Sequence, residues 1–261
     1  FVPFTFVVLS GLAPDTRRAL TIPVVCMQTI AANLGSMLTP IGNPQNLYLY
    51  GKSGMRMAEF LLLMFPYTVV SLLLLVGWAV AVCRKQASSC IGALPEQPNT
   101  TADRKIILLD AVLFAVCLLA VVRVLPYGVA FAAVLVCTLC ADRSTLRNVD
   151  YSLLLTFVAF FVFIGNLGRI PAFSGWLQAI LAGREVLVAV LASQVTSNVP
   201  AALLLSGFTD ETAALIIGTN LGGLGTLIAS MASLISYRQI ARELPEEKGR
   251  YFKLFLSLIH I

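Results

Sequence analysis

Apolar runs long enough to cross a lipid bilayer recur along this chain of 261 residues. A helix needs about 20 apolar residues to span the hydrocarbon core, and residues 58–83, 106–124 and 151–168 provide runs of nearly this length or more. They are uniformly apolar, whereas barrel strands alternate apolar and polar residues. Helices also satisfy their own backbone hydrogen bonds in lipid. We therefore predict an all-α polytopic membrane protein whose surroundings are the lipid bilayer.

Composition and charge agree with this class. Hydrophobic residues make up 58% of the chain and charged residues only 12%, whereas soluble domains carry about 25% charged residues. The net charge is +5, but Lys and Arg lie singly or in pairs at the ends of apolar runs. A nucleic-acid partner is excluded, because it would require a basic stripe or patch.

The basic residues instead predict the orientation of the chain in an inner (plasma) membrane, which it crosses several times. Cytoplasmic loops carry the excess of Lys and Arg. With residues 84–105 in the cytoplasm, thirteen Lys and Arg lie inside and five outside. This count holds only if residues 185–208 enter and leave on the same side, so we predict a re-entrant hairpin there.

Two stretches interrupted by Gly, Asn and Pro form an internal repeat. Residues 31–50 (AANLGSMLTPIGNPQNLYLY) align without a gap to residues 218–237 (GTNLGGLGTLIASMASLISY), with Asn-Leu-Gly and a Thr in register. The predicted orientation makes the two copies inverted. Matched broken helices in inverted repeats are typical of the central binding site of a secondary transporter. The alternative is that the small residues only allow helices to pack closely.

The interruptions also predict binding chemistry. Freed backbone carbonyls can coordinate a cation, and freed N–H groups at a helix start can hold an anion. A third polar break, Thr196–Pro200, interrupts the predicted hairpin, where we expect Ser197 and Asn198 to cap the following half-helix. Its alternative is a plain proline kink. The predicted ion-binding residues are Asn33, Gly35, Thr39, Asn198, Thr219, Asn220, Gly222 and Thr226. The predicted substrate-binding residues are Ser197, Asn198, Val199, Pro200, Asn43, Pro44 and Asn46.

An enzyme is not indicated, because the sequence has no pairing of a nucleophile with a base and no HExxH metal motif. No cofactor is expected beyond a coupling ion, sodium or a proton. Asp110 is the acid that lies inside a predicted span, and it can pair with Arg104 and Lys105. Sodium binding by neutral oxygens is therefore favoured over a proton carrier. A structural or assembly protein is the other alternative, but it would not need two matched broken helices.

At these residues the sequence resembles the citrate-transporter-like and arsenite-permease families of the ion transporter superfamily, which includes the divalent-anion/sodium symporters. Ser197, Asn198 and Val199 match that superfamily's second Ser-Asn-Thr hairpin tip, with Val199 in place of Thr. Residues 33–46 and 220–230 match its two broken helices. The resemblance covers nearly the whole chain to Phe255, and implies that the chain is truncated at its N-terminal side, beginning in the second arm of the first hairpin.

The resemblance implies a homodimeric secondary transporter that carries a small anion, a di- or tricarboxylate, with sodium or proton coupling and alternating access. Val199 removes one hydroxyl that a second cation site would use. The alternative functions are a metalloid oxyanion exporter for arsenite or a sodium/proton antiporter.

We expect residues 1–83 to form the C-terminal part of the first inverted repeat, 84–105 a cytoplasmic linker, and 106–255 the second repeat. Residues 256–261 (LSLIHI) are what one reading frame of a common transposon-derived sequencing adapter encodes, and we interpret them as translated adapter. This interpretation makes His260 foreign to the protein.

Overall fold

The computed structural model describes residues 2–12, 14–84, 104–141, 143–147 and 149–259. This part of the chain is helical and contains no β-strand, so the prediction of an all-α fold is confirmed. Most of the predicted linker, together with His260 and Ile261, lies outside the described residues. The α-helices are α1 Val2–Ser10, α2 Pro14–Ser36, α3 Pro44–Ser53, α4 Met57–Arg84, α5 Arg104–Val121, α6 Tyr127–Ala141, α7 Arg143–Arg147, α8 Tyr151–Leu167, α9 Pro171–Leu181, α10 Glu185–Thr196, α11 Asn198–Leu205, α12 Thr212–Gly222, α13 Met231–Glu243 and α14 Lys248–Ile259.

The chain divides into two compact units, one of residues 1–96 and 163–261 and the other of residues 97–162. In the smaller unit α5 packs on α6, and Ala120, Val121 and Ala130 are buried. Large apolar side chains such as Leu108 and Phe131 are exposed on the same helices. Exposed apolar side chains along a helix are what lipid contact requires, because the bilayer core is itself apolar.

Two described helices have the length and composition to cross a membrane, namely α2 and residues Met57–Val82 of α4. A third span is formed if α8 and α9 are counted together, although the chain bends by 99° between Leu154–Leu167 and Pro171–Leu181. The bend falls at residues 168–170, where Pro171 starts a new helix, as proline favours at the first helical position. Together these helices fit a chain that crosses a bilayer more than once.

The first broken helix consists of α2 and α3, with the interruption at residues 37–43. Pro40–Gly42 form a 3-10 turn, and the side chain of Asn43 caps α3 by accepting a hydrogen bond from the N–H of Asn46. The polar residues at positions 14–18 form the first turns of α2. Pro14 needs no backbone N–H at a helix start, and Asp15 suits the positive end of the helix. The predicted interruption was too early, since α2 continues to Ser36.

The second broken helix consists of α12 and α13, and its interruption covers residues 223–230. Ser230 caps α13 by accepting a hydrogen bond from the N–H of Ala232. The aligned position in the first repeat is Asn43, which caps α3, so both repeats start their second half-helix at the same place. The sequence predicted an interruption from Gly218, but the structure keeps residues 218–222 helical because they pack against α10.

Helices α10 and α11 form the hairpin, and its tip is Ser197. Helix α10 runs parallel to α12, since Gly218 lies beside Val186 and Gly222 beside Val190. Helix α11 runs back, from Asn198 next to Gly223 to Ser206 next to Lys52 of α3. Because Pro200 has no N–H to bond to Thr196, the chain cannot continue α10 as one straight helix.

The two broken helices pack against each other in opposite directions. The end of α2 contacts the start of α13, where Asn33 bonds Ser230 and Ser233. The end of α12 likewise contacts the start of α3, where Asn220 bonds Asn43. Opposite chain directions at equivalent contacts are what an inverted repeat requires. The interruptions of both copies therefore meet at one place in the larger unit.

Helices α10 and α12 approach closely because α12 presents glycine to α10. A Cβ atom placed on Gly222 would lie 2.7 Å from Cβ of Ser193 and 2.9 Å from Cα of Val190. One placed on Gly218 would lie 2.6 Å from Cβ of Ala189. Small residues at a helix contact are the usual route to stable association in membranes. For Gly222 this supports the packing alternative raised by the sequence.

Gly222→Ala is expected to destabilise the protein, because the added methyl group meets the backbone of α10, and overpacking costs about 1–3 kcal/mol. The apparent unfolding temperature in detergent should fall by about 3–10 °C. Gly175→Ala on α9 is the matched control, since nothing lies within 4 Å of a Cβ there. Equal unfolding temperatures for the two variants would contradict the close packing of α10 and α12.

Candidate functional site

The interruptions and the hairpin tip line a cavity of about 280 Å³. It lies entirely within the larger unit, and each of the five converging helices contributes to its wall. The lining residues are Ala32, Asn33, Ser36, Gly42, Asn43, Pro44, Gln45, Asn198, Val199, Asn220, Gly223, Ser230, Met231 and Ala232. The structure therefore brings together predicted residues from both repeats and from the hairpin.

A reciprocal asparagine network holds the cavity walls together. Asn33 accepts a hydrogen bond from Ser230 Oγ at 2.6 Å and donates one to Ser233 Oγ at 3.1 Å. Its repeat partner Asn220 accepts from Asn43 Nδ2 at 3.0 Å and donates to Asn46 Oδ1 at 2.6 Å. In the repeat alignment Asn43 matches Ser230 and Asn46 matches Ser233. Each asparagine therefore bonds the same two equivalent positions of the other repeat.

Three helix N-termini converge on the cavity. Its wall contains Gln45 from the first turn of α3, Val199 from that of α11, and Met231 from that of α13. The backbone N–H groups of these three residues make no hydrogen bond to the described part of the chain. Helix starts carry partial positive charge and unpaired donors. The described residues that line the cavity include no Asp, Glu, His, Lys or Arg. The cavity therefore favours an anion without containing a full positive charge.

Two helix C-termini give another part of the cavity wall a partial negative charge. Asn33 and Ser36 come from the last turn of α2, and Asn220 and Gly223 from the end of α12. Helix ends carry partial negative charge and carbonyl oxygens without intrahelical partners. A cation is therefore favoured at these ends, next to the anion-favouring helix starts.

The hairpin tip is held against the second interruption. Ser197 Oγ donates a hydrogen bond to the carbonyl of Ala229 at 3.3 Å, and the Asn198 N–H donates to the same carbonyl at 2.9 Å. The prediction that the side chain of Ser197 caps α11 is wrong, because its hydroxyl is directed to the Ala229 carbonyl that the interruption frees. Ser197 has φ +77° and ψ 154°, a conformation that non-glycine residues rarely adopt.

Gln194 fixes the path of the second interruption, and the sequence did not single it out. Its Nε2 donates to the Gly222 carbonyl at 2.7 Å, and its Oε1 accepts from the Thr226 N–H at 2.7 Å. The Thr226 hydroxyl donates to the Gln194 carbonyl at 3.0 Å. A Cβ on Gly225 would overlap the Gln194 side chain. Thr226, a predicted ion-binding residue, is therefore bonded to the hairpin in this structure.

The remaining predicted residues do not line the cavity. Buried Asn46 donates hydrogen bonds to the carbonyls of Met37 and Thr39, each at 3.3 Å, and so gives these two backbone carbonyls of the first interruption a partner. The hydroxyl of buried Thr219 bonds the Leu215 carbonyl of its own helix. Gly35 is exposed, and Pro200 lies in the first turn of α11. Their assigned roles in binding stay predictions.

Gln45, Ser36 and Ser230 line the cavity but were not predicted. For Ser230 the signal was available, because the repeat alignment places it opposite Asn43. Gln45 is the neighbour of two predicted residues, yet a single glutamine in a polar segment carries no pattern of its own. Its importance is visible only from the folded contacts.

A larger cavity, of about 450 Å³, lies between the start of α2 and the end of α13. Its wall is charged, with Asp15, Arg17, Arg18, Glu243 and Glu247 among its residues. Arg18 and Glu247 form an ion pair at 3.8 Å, and the Arg18 side chain is 74% exposed. Such exposed pairs contribute little binding energy. The smaller cavity at the interruptions, whose lining residues are uncharged and come from both repeats and the hairpin, is the better candidate site.

Comparison with known proteins places these features in a family context. The sequence profile of the citrate transporter family matches residues 1–236. The inner membrane protein YbiR of Escherichia coli (strain K12) is 33% identical over 234 residues, which are 85% of this chain and 60% of that protein. The uncharacterized transporter MJ0456 of Methanocaldococcus jannaschii is 32% identical over 218 residues, 82% of this chain and 57% of that protein. The chain thus spans less than two thirds of the length of either relative.

The hairpin tip offers a direct test of backbone strain at Ser197. Ser197→Gly and Ser197→Ala both remove the hydrogen bond to Ala229, but only glycine adopts this conformation without strain. The strain costs about 1–3 kcal/mol. The glycine variant should therefore unfold at a higher apparent temperature in detergent than the alanine variant. An alanine variant as stable as the glycine variant would show that the tip is not strained.

Proposed function

Since the chain belongs to the citrate transporter family, we propose that it forms the substrate-binding part of a secondary active transporter for a small carboxylate anion. The family is one of integral membrane transporters rather than enzymes, and both compared relatives are named as membrane or transporter proteins. The substrate we propose is a di- or tricarboxylate. The observation that carries the proposal is the convergence of three helix N-termini on one uncharged cavity.

The anion is bound at the starts of α3, α11 and α13. Carboxylate oxygens accept hydrogen bonds from the unpaired N–H groups of Gln45, Val199 and Met231, and from Nδ2 of Asn198. That amide nitrogen makes no hydrogen bond to the described residues, and Asn198 is only 8% exposed. Hydrogen bonds to a charged group are about twice as strong as neutral ones. Partial charges on helix starts bind an anion while still allowing its release.

Sodium is the coupling ion we propose, with a proton as the alternative. A proton carrier needs a group that titrates, and the described lining residues supply none. Neutral oxygens from the ends of α2 and α12 and from their asparagines suit a hard cation. A bound sodium ion next to the anion strengthens the binding of both, which is the physical basis of symport.

Transport by alternating access follows from the packing of the hairpin. Helices α10 and α11 contact α12, and hydrogen bonds join the hairpin tip to residues 223–230. A rigid-body movement of the hairpin can break these hydrogen bonds and form others. Inverted repeats supply two equivalent arrangements, one open to each side.

We further propose that the protein lies in the plasma membrane as a multi-pass homodimer.

Uptake into proteoliposomes tests this function. The purified protein should accumulate labelled citrate or succinate when a sodium gradient is imposed, and should do so less with potassium in place of sodium. Gly223→Ala should abolish uptake, because its Cβ would lie 2.9 Å from Asn198 Nδ2 in the cavity. Gly175→Ala, in open space on α9, should transport normally.

The opposite results are equally informative. No uptake of either acid under sodium or pH gradients would overturn the carboxylate proposal. Arsenite efflux, or sodium/proton exchange without any acid, would replace it with the exporter or the antiporter. Uptake driven by a pH gradient alone would retain the substrate class but replace sodium by the proton.

A further inference from the structure

The side-chain amide of Gln194 takes the place of one missing helical hydrogen bond. If α12 continued past Gly222, the N–H of Thr226 would donate to the carbonyl of Gly222, four residues earlier. In the structure the Thr226 N–H donates instead to Gln194 Oε1, and Gln194 Nε2 donates to the Gly222 carbonyl, each at 2.7 Å. The Gly222 carbonyl also accepts from the N–H of Gly225 at 3.4 Å, as in a tightened last helical turn. One amide of the hairpin is therefore inserted between the donor and the acceptor of a single helical bond.

The two interruptions differ in what breaks the helix. The first contains Pro40, and Pro44 follows at the start of α3. Proline has no N–H for a helical bond, so this break is fixed by the sequence. The aligned positions in the second repeat are Leu227 and Met231, and residues 223–230 contain no proline. Glycine weakens a helix there without forbidding one. The second interruption therefore depends on contacts from elsewhere in the fold.

The hairpin supplies these contacts at both ends of the second interruption. Gln194 pairs its first end, and the Ala229 carbonyl near its last end accepts from Ser197 Oγ at 3.3 Å and from the Asn198 N–H at 2.9 Å. A hairpin that moves away removes the partners at both ends together. Unpaired backbone groups are costly in apolar surroundings. The nearest replacement is the direct helical bond that Gln194 displaces, and forming it extends α12 by about one turn.

The point at which α12 ends decides where its partial negative charge lies. Asn220 and Gly223, at the end of α12, line the cavity, and the carbonyls of a helix end favour a cation. Extension through Thr226 adds four residues, which moves the helix end by about 6 Å. It also pairs the carbonyls that now end the helix. The cation-favouring end is thus present in the cavity only while Gln194 is inserted.

We propose that Gln194 is a positioning residue that holds the second interruption open, so that the cation binds tightly only while the hairpin is docked. This inference rests on the proposed function, because it concerns the coupling ion of the same cavity. Gln194 is not among the residues that line the cavity, so it acts through the backbone of residues 222–226. By reciprocity, a bound cation stabilises the docked hairpin to the same extent.

Gln194→Glu tests the inserted amide directly. A protonated carboxyl group carries a donor and an acceptor, as the amide does, whereas an ionised carboxylate has acceptors only and opposes the Gly222 carbonyl. Gln194→Met has a similar size and neither group. Helices α9, α11 and α12, which pack on α10, and residues 223–230 contain no ionisable side chain. On α10 itself the ionisable residue is Glu185, at the opposite end of the helix.

Two measurements on the purified protein in detergent are compared with the wild type at each pH. One is the sodium concentration that raises the unfolding temperature by a fixed amount. The other is amide hydrogen exchange over residues 222–230. Gln194→Met should need about tenfold more sodium, because two hydrogen bonds are lost, and should change the exchange. Gln194→Glu should match Gln194→Met at about pH 8 and approach the wild type as the pH falls to about 4. Gln178→Glu, at an exposed glutamine of α9, should match the wild type throughout.

Gly225→Ala displaces the amide without changing Gln194. A Cβ atom on Gly225 would overlap the end of the Gln194 side chain, so this variant should reproduce both effects of Gln194→Met at every pH. Combining the two substitutions should add little, because both remove the same interaction. Gly175→Ala, in open space on α9, is the matched control.

The possible failures are separable. Equal exchange over residues 222–230 in the wild type and Gln194→Met would overturn the proposal. A defect of Gln194→Glu that is the same at every pH would also overturn it, because Gln194 would then serve only in packing. If sodium does not stabilise the wild type, the proposed coupling ion fails and the link to sodium fails with it. The exchange measurement needs neither sodium nor transport, so it still decides whether Gln194 holds the interruption open.

Discussion

Inside a bilayer each backbone N–H or C=O that leaves a helix must find a partner within the protein or face a water-filled cavity, and this requirement organises the centre of the molecule. At the first interruption, Asn46 donates to the carbonyls of Met37 and Thr39. At the second, Gln194 bonds both the Gly222 carbonyl and the Thr226 N–H. Side-chain amides thus replace the helical hydrogen bonds, and the two interruptions persist because these amides come from elements packed against them.

The same arrangement explains how an apolar chain forms a polar site without charged residues. Breaking two helices and a hairpin at one depth produces three helix starts and the ends of neighbouring helices around one cavity. Opposite partial charges then lie within a few ångströms, so an anion and a cation can each be favoured without a buried side-chain charge, which is costly in a membrane. Partial charges also hold ligands less tightly than full charges do, which suits a site that must release what it binds.

Much of the fold and of the candidate site could be predicted from the sequence, because the repeat consists of residue types that strongly affect the local backbone. Asn, Gly and Pro interrupt helices wherever they cluster, and the aligned Asn33 and Asn220 indicated two related interruptions. The exact helix ends could not be anticipated. Residues 218–222 contain Thr, Asn and Gly, yet they remain helical because Gly222 packs on α10. The positions of Gln194 and Gln45 at the site could not be predicted either. A lone glutamine has no periodic or spacing signal, and its role depends on its neighbours in space.

The sequence by itself determined the all-α membrane class, the family, the presence of two interrupted segments and the position of the hairpin tip. These follow from hydropathy and from local backbone chemistry, which act on residues close together in the chain. Only the tertiary structure decided which polar groups pair and which stay unpaired. Asn33 meets Ser230 and Ser233, and Asn220 meets Asn43 and Asn46, across nearly the whole described chain. Gln45 Oε1 accepts no hydrogen bond from the described residues, because hydrogen-bond partners are assigned by packing in space rather than by order along the chain.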